Sequence, residues 1–149
     1  MKEYSDNRMH TAEHLLNQTM VRMFGSGRAF SSHIEKKKSK CDYKFSRALT
    51  GEEAAELERR VNEDIRADLP VTESFVSGEE AAARLDLCRL PEGAAGEKLR
   101  VILIGDYDAC PCIGPHVAST AEIGGFRIVS TSFENGILRI RFKLAGTDK

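Results

Sequence analysis

The sequence predicts an α+β fold, an antiparallel sheet packed with two substantial helices, on three observations. Residues 7–24 carry an apolar stripe, Met9, Ala12, Leu16, Met20 and Met23, at helical spacing. Thr50-Gly51-Glu52-Glu53 is a capping box, the local signature of a second helix start. Two strand-like runs meet at Asn135-Gly136, a dipeptide that favours a tight hairpin turn. The 149 residues suit one domain, 1–149, with no linker and no internal repeat.

Each element follows from local chemistry. Ser5 or Asp6 can cap the first helix, and Gly25 with Gly27 can end it. Residues 28–34 and 41–47 read as short strands around the basic loop Lys36-Lys37-Lys38-Ser39-Lys40; Cys41, Tyr43 and Phe45 alternate with polar residues. The second helix runs from the capping box to about residue 67, with Ala54, Leu57, Val61 and Ile65 on one face and Pro70 as its stop. A strand over 71–76, a short helix over 77–85, a Gly- and Ala-rich loop over 91–97 and a strand over 99–104 follow. Residues 106–115 read as irregular, being rich in Gly and Pro. The hairpin strands cover 126–133 and 137–144.

Composition excludes several classes. Twelve Gly and four Pro are too few for a low-complexity chain. No apolar run approaches the roughly 20 residues of a membrane span, and residues 1–6 lack an apolar signal core. A soluble, cytoplasmic protein without a membrane partner is therefore expected. With 22 Lys+Arg against 23 Asp+Glu, the net charge of −1 rules out coating nucleic acid by bulk electrostatics, though not a local basic patch.

Four Cys (41, 88, 110, 112) in such a chain are thiols or metal ligands before they are disulfides. His10 and His14 are four apart on the first helix and can aim two imidazoles at one point. On a helical wheel they lie at about 100° and 140° when the apolar stripe centres near 330–340°, off the expected buried face. Cys112-Ile113-Gly114-Pro115-His116 adds a thiolate and a third imidazole in a tight loop. Together these form an N₃S donor set suited to tetrahedral Zn²⁺, with Cys110 competing with Cys112 for the sulfur position. His10-Thr11-Ala12-Glu13-His14 also fits the H-x-x-E-H peptidase signature, with Glu13 as general base, but that reading needs a downstream acidic ligand.

His10-Thr11-Ala12-Glu13-His14-Leu15-Leu16 followed by Cys112-Ile113-Gly114-Pro115-His116-Val117 resembles the editing domain of alanyl-tRNA synthetases. It equally resembles the free-standing alanyl-tRNA editing proteins of the short type and the related domain of threonyl-tRNA synthetases. Further agreement lies in 43–46, 48–50, 61–67 and 120–130, so the likeness covers nearly the whole chain. The resemblance implies that same editing-domain fold and a zinc-dependent hydrolase acting in trans on misacylated tRNA, with His10, His14, Cys112 and His116 as ligands. It implies Ser-tRNA(Ala) as substrate, with Gly-tRNA(Ala) as a second. A synthetic site selecting alanine discriminates weakly against close neighbours, and a second site removes the errors. Gly114-Pro115-His116-Val117 is nearer the threonyl pattern, which keeps Ser-tRNA(Thr) open; a tRNA-binding module with a structural zinc and a small metallopeptidase are the other readings.

Ser31, Ser32 and Thr120 are candidates to hydrogen-bond a substrate hydroxyl, and His33 and Asp108 are candidate general bases. Lys36, Lys37, Lys38 and Lys40, with Arg139, Arg141 and Lys143 alternating along the last strand, are candidate phosphate contacts for the tRNA acceptor end. No obligatory protein partner is expected.

Overall fold

A computed structural model describes residues 7–34, 38–77, 98–111 and 116–144. The first helix, α1 (Asn7–Phe24), spans the predicted stretch. It ends where Gly25 takes a φ of 66° and its N–H donates to the Val21 carbonyl at 2.8 Å. The second, α2 (Gly51–Arg66), is opened by the predicted box: Thr50 Oγ1 accepts from the Glu53 N–H and Glu53 Oε1 accepts from the Thr50 N–H, each at 3.0 Å. Arg47 holds the same carboxylate through both of its terminal nitrogens. Thr50→Ala is expected to cost about 1 kcal/mol, read as a lower urea midpoint at unchanged slope. Leu57, Val61 and Ile65 form the buried face of α2. Asp68 leaves the helical region at φ 57°, and Pro70 bars any continuation.

The strands form two antiparallel sheets where the sequence suggested one. β1 (Ser31–His33), β2 (Ser39–Lys44), β6 (Phe126–Glu134) and β7 (Ile137–Leu144) form a four-stranded sheet in the order β1-β2-β7-β6. β3 (Val71–Ser77), β4 (Lys98–Ile104) and β5 (Asp108–Pro111) form a second, with β4 in the middle. Alternation along a strand reports its faces and is silent on its neighbours, so the division was not legible. The β6–β7 turn is the one predicted: Asn135 and Gly136 take φ values of 55° and 78°, the paired positive angles of a type I′ turn.

β5 corrects the expectation that residues 106–115 are irregular. Gly105 turns the chain at φ 49°, the Tyr107 N–H donates to the Ile104 carbonyl, and Asp108, Ala109 and Cys110 then pair with Ile104, Leu103 and Ile102. Pro111 is tolerated because it ends an edge strand. A 3₁₀ turn, Thr120–Ile123, precedes β6 and packs against both helices.

The core lies between α1, α2 and the inner face of the four-stranded sheet. Met9, Leu15, Leu16 and Met20 of α1 share it with Tyr43, Leu138, Ile140 and Phe142. The expected cap at Ser5 or Asp6, the short helix over 77–85 and the loop over 91–97 fall on residues outside the described set, wholly or nearly so. Among the described residues no helix is long and apolar enough to cross a membrane.

Candidate metal centre

His10, His14 and His116 come together, with ligand-capable atoms all within 4.8 Å of one another. The rings of His10 and His116 stack at 4.4 Å between centroids, and His14 stands edge-on to both, at 5.3 and 4.6 Å. His10 and His14 are 3% and 4% exposed, which corrects the expectation that they lie off the buried face of α1. The apolar stripe identifies the side of α1 that meets the core. It says nothing of the opposite side, where β5, His116 and Val117 meet α1.

Two polar anchors orient these rings. Thr11 Oγ1 donates to the Asn7 carbonyl at 3.0 Å, lies 2.9 Å from His116 Nδ1 and accepts from the Val117 N–H at 3.2 Å. Binding His116 through Nδ1 leaves Nε2 as its ligand atom. His14 Nδ1 lies 3.4 Å from Asp108 Oδ2, again leaving Nε2 for a metal. Asp108 is gripped through both oxygens by Arg28, at 2.8 and 3.2 Å, and accepts from Gln18 Nε2 at 2.8 Å. Burial by itself would raise the Asp108 carboxyl; the neighbouring His14 imidazole and the Arg28 guanidinium outweigh it and hold the group well below the usual carboxylate range.

Asp108 is thus a positioning residue for His14, in place of the general base expected from the sequence. A carboxylate behind a ligating imidazole fixes its tautomer and raises its basicity. Three imidazoles, two of them buried and that of His116 half-buried, suit a borderline cation such as Zn²⁺, whose Zn–N distances of about 2.0–2.1 Å bring tetrahedral nitrogens to about 3.4 Å apart.

The other expected residues divide. Cys112 lies outside the described residues, as do Lys36 and Lys37. Cys110 contributes its backbone to β5. His33, exposed on edge strand β1 opposite Lys40, does not join the imidazole cluster. Ser32 Oγ lies 3.5 Å from Cys41 Sγ, and Ser31 pairs with Asp42. Lys38 is exposed just before β2. Thr120 is corrected: it is fully buried, its hydroxyl donates to the Asp64 carbonyl at 2.7 Å and accepts from the Leu69 N–H at 2.8 Å, so it ties the end of α2 to the 3₁₀ turn. Glu13 Oε1 is 3.8 Å from His10 Nε2, and the third apex of the cluster is His116 where the peptidase signature needs a carboxylate.

Sequence reasoning missed Thr11, Gln18 and Arg28. One signal was present: His10, His14, Gln18 and Arg22 recur every four residues, a polar stripe opposite the apolar one. Arg22 Nε donates to Gln18 Oε1 at 3.0 Å, so the stripe continues the network that reaches Asp108.

Residues 99–141 match the family described as the threonyl and alanyl tRNA synthetase second additional domain. Alanine–tRNA ligase of Aeropyrum pernix is 34% identical over 145 residues, 95% of this chain. The ligases of Petrotoga mobilis and Fervidobacterium nodosum are 32% and 35% identical over 93% and 94% of it. The chain spans 16% of the length of each of these relatives.

Proposed function

From a chain that is a relative of the alanine–tRNA ligases and carries a second additional domain of the threonyl and alanyl tRNA synthetase type, we propose an aminoacyl-tRNA deacylase that removes the wrong amino acid from the 3′ end of tRNA. The observation that carries this reading is the meeting of His10, His14 and His116, the first two buried and the third half-buried, with ligand-capable atoms all within 4.8 Å of one another. Zn²⁺ is the proposed ion, with these three imidazoles and Cys112 as its protein ligands. When bound, such an ion supplies Lewis-acid polarisation of the ester carbonyl or of an attacking water. The chain's own residues do the rest. Asp108 and Thr11 hold His14 and His116 in the tautomers that present Nε2. Burial of His10 and His14 lowers the local dielectric around the cluster.

Ser-tRNA(Ala) is the proposed substrate, with Gly-tRNA(Ala) second. Ser31 and Ser32, exposed on β1, remain the proposed partners of a serine hydroxyl; a site built around such a bond spares alanine, which has none to offer. This reading places the chain at translation, in the cytoplasm.

The test is ester loss from Ser-tRNA(Ala), Gly-tRNA(Ala), Ala-tRNA(Ala) and Ser-tRNA(Thr), with zinc-loaded protein in each. Ser-tRNA(Ala) is expected to be cleaved at least 100-fold faster than Ala-tRNA(Ala), on the order of the discrimination a lost buried hydrogen bond provides. Faster loss of Ser-tRNA(Thr) reassigns the substrate. Zinc retained with every ester intact refutes the enzyme and leaves a tRNA-binding module with a structural metal.

A further inference from the structure

We propose that the outward face of the four-stranded sheet docks the phosphodiester backbone of an RNA, which on the reading above is the tRNA. In β7 the residues Leu138, Ile140, Phe142 and Leu144 are buried, so Arg139, Arg141 and Lys143 face outward. The register sets Lys40 of β2 opposite Arg141, and Arg127 of β6 opposite Lys143. Both are like-charge pairs directly across the sheet, an arrangement that costs stability unless an anion relieves it.

The face holds little negative charge of its own. Asp42 is occupied by Arg139 in a two-pronged pair at 2.7 and 2.9 Å. Glu134 stands at the far end, opposite Ile137. Among the described residues, Lys40, Arg127, Arg141 and Lys143 make no ion pair with a carboxylate; Arg141 Nη1 donates to Ser130 Oγ at 3.3 Å. By contrast Arg59 and Arg60 on α2 are tied to Glu56 and Glu63. A chain of net charge −1 has thus gathered on one pleated surface four cations without a carboxylate in ion-pair contact, two of them sharing the field of the single carboxylate Asp42, with the hydroxyls of Ser130 and Ser132 between them.

The occupant follows from this chemistry. Phosphate contacts from Lys and Arg need neither apolar anchors nor ring platforms. The exposed apolar side chains here, Val129 at the β6 bulge and Ile137 at the turn, are single residues, whereas a lipid surface would want a continuous apolar face. Ser130 and Ser132 lie opposite Arg141 and Arg139, so hydroxyl donors alternate with the cations. Lys40 stands opposite His33 on the edge strand β1, which also carries Ser31 and Ser32. Only the identity of the RNA rests on the deacylase reading.

The experiment measures tRNA binding to the full chain against salt. For K40Q/R141Q and R127Q/K143Q, the slope of log affinity on log salt is expected to shallow by about two each, with about tenfold weaker binding at low salt. Their melting temperatures are expected to stay level or rise, since a repulsion has been removed. K40R/R141K, which keeps both charges, is expected to bind as wild type, and Arg59→Gln on α2 is the control that leaves the slope unaltered. Folded neutral variants that keep the wild-type slope overturn the proposal. So does loss of binding to phosphatidylserine vesicles with tRNA binding intact. If the wild type cleaves no ester yet the neutral variants lose tRNA binding, the docking face stands and the deacylase falls; cleavage with unchanged binding by the variants gives the reverse.

Discussion

Replacing His14 with alanine is expected to abolish metal retention and ester cleavage together. His14 is one apex of a three-imidazole cluster, with the Asp108 carboxylate 3.4 Å from its Nδ1. Its loss removes a ligand and leaves Asp108 and Arg28 packed against a small void. Zinc content, measured by atomic absorption after dialysis, is expected to fall to background, and deacylation by at least 100-fold, on the scale seen when a metal's ligand environment is broken. The fold is expected to survive, because the Arg28–Asp108 pair and the apolar stripe of α1 are untouched. A variant that keeps full activity without zinc refutes the ligand assignment.

Asp108→Ala is expected to have the largest effect on stability. The Arg28 and Asp108 side chains are 6% and 0% exposed, so deleting the carboxylate strands a guanidinium in a place water does not reach. Breaking such a pair costs about 3–5 kcal/mol, which a urea titration would show directly. Asp108→Asn separates the two roles of the residue. It keeps the shape and a hydrogen bond but loses the charge, and zinc affinity in a chelator competition is expected to fall about 10- to 100-fold. The sign of the pH effect follows from the folded state. Its carboxyl is held below the ordinary value, so the stabilisation is complete above about pH 4 and fades only as the pH falls further. The gap between wild type and Asp108→Ala is therefore expected to be flat from neutral to mildly acidic pH.

What was legible in the sequence is what depends on near neighbours. The apolar spacing of α1, the Thr50 capping box and the Asn135-Gly136 turn are each written within a few residues, and each stands where it was predicted. β5 was missed because its four residues, Asp108–Pro111, carry no alternation and end in proline; its existence depends on β4 beside it. The partners of the metal ligands were missed for the same reason at longer range. Thr11 meets His116, and Arg28 meets Asp108, across most of the chain. The burial of His10 and His14 was hidden because a wheel weighs apolar side chains, and the covering element on that side is recruited by hydrogen bonds.

The sheet order has a consequence for synthesis on the ribosome. β7 sits between β2 and β6 yet is the last of these four strands to be made, so within this sheet β2 has only the three-residue β1 to pair with until then. About 90 residues separate β2 from β7, or roughly 5–20 s of elongation at ordinary rates. For that interval Tyr43 and Cys41 lack the wall formed by Leu138, Ile140 and Phe142, and the apolar side of α1 has α2 but only part of its sheet to pack against. The nascent chain is then a natural client for chaperones that shield apolar surface, and slow codons between β3 and β6 would lengthen the exposure without altering one amino acid.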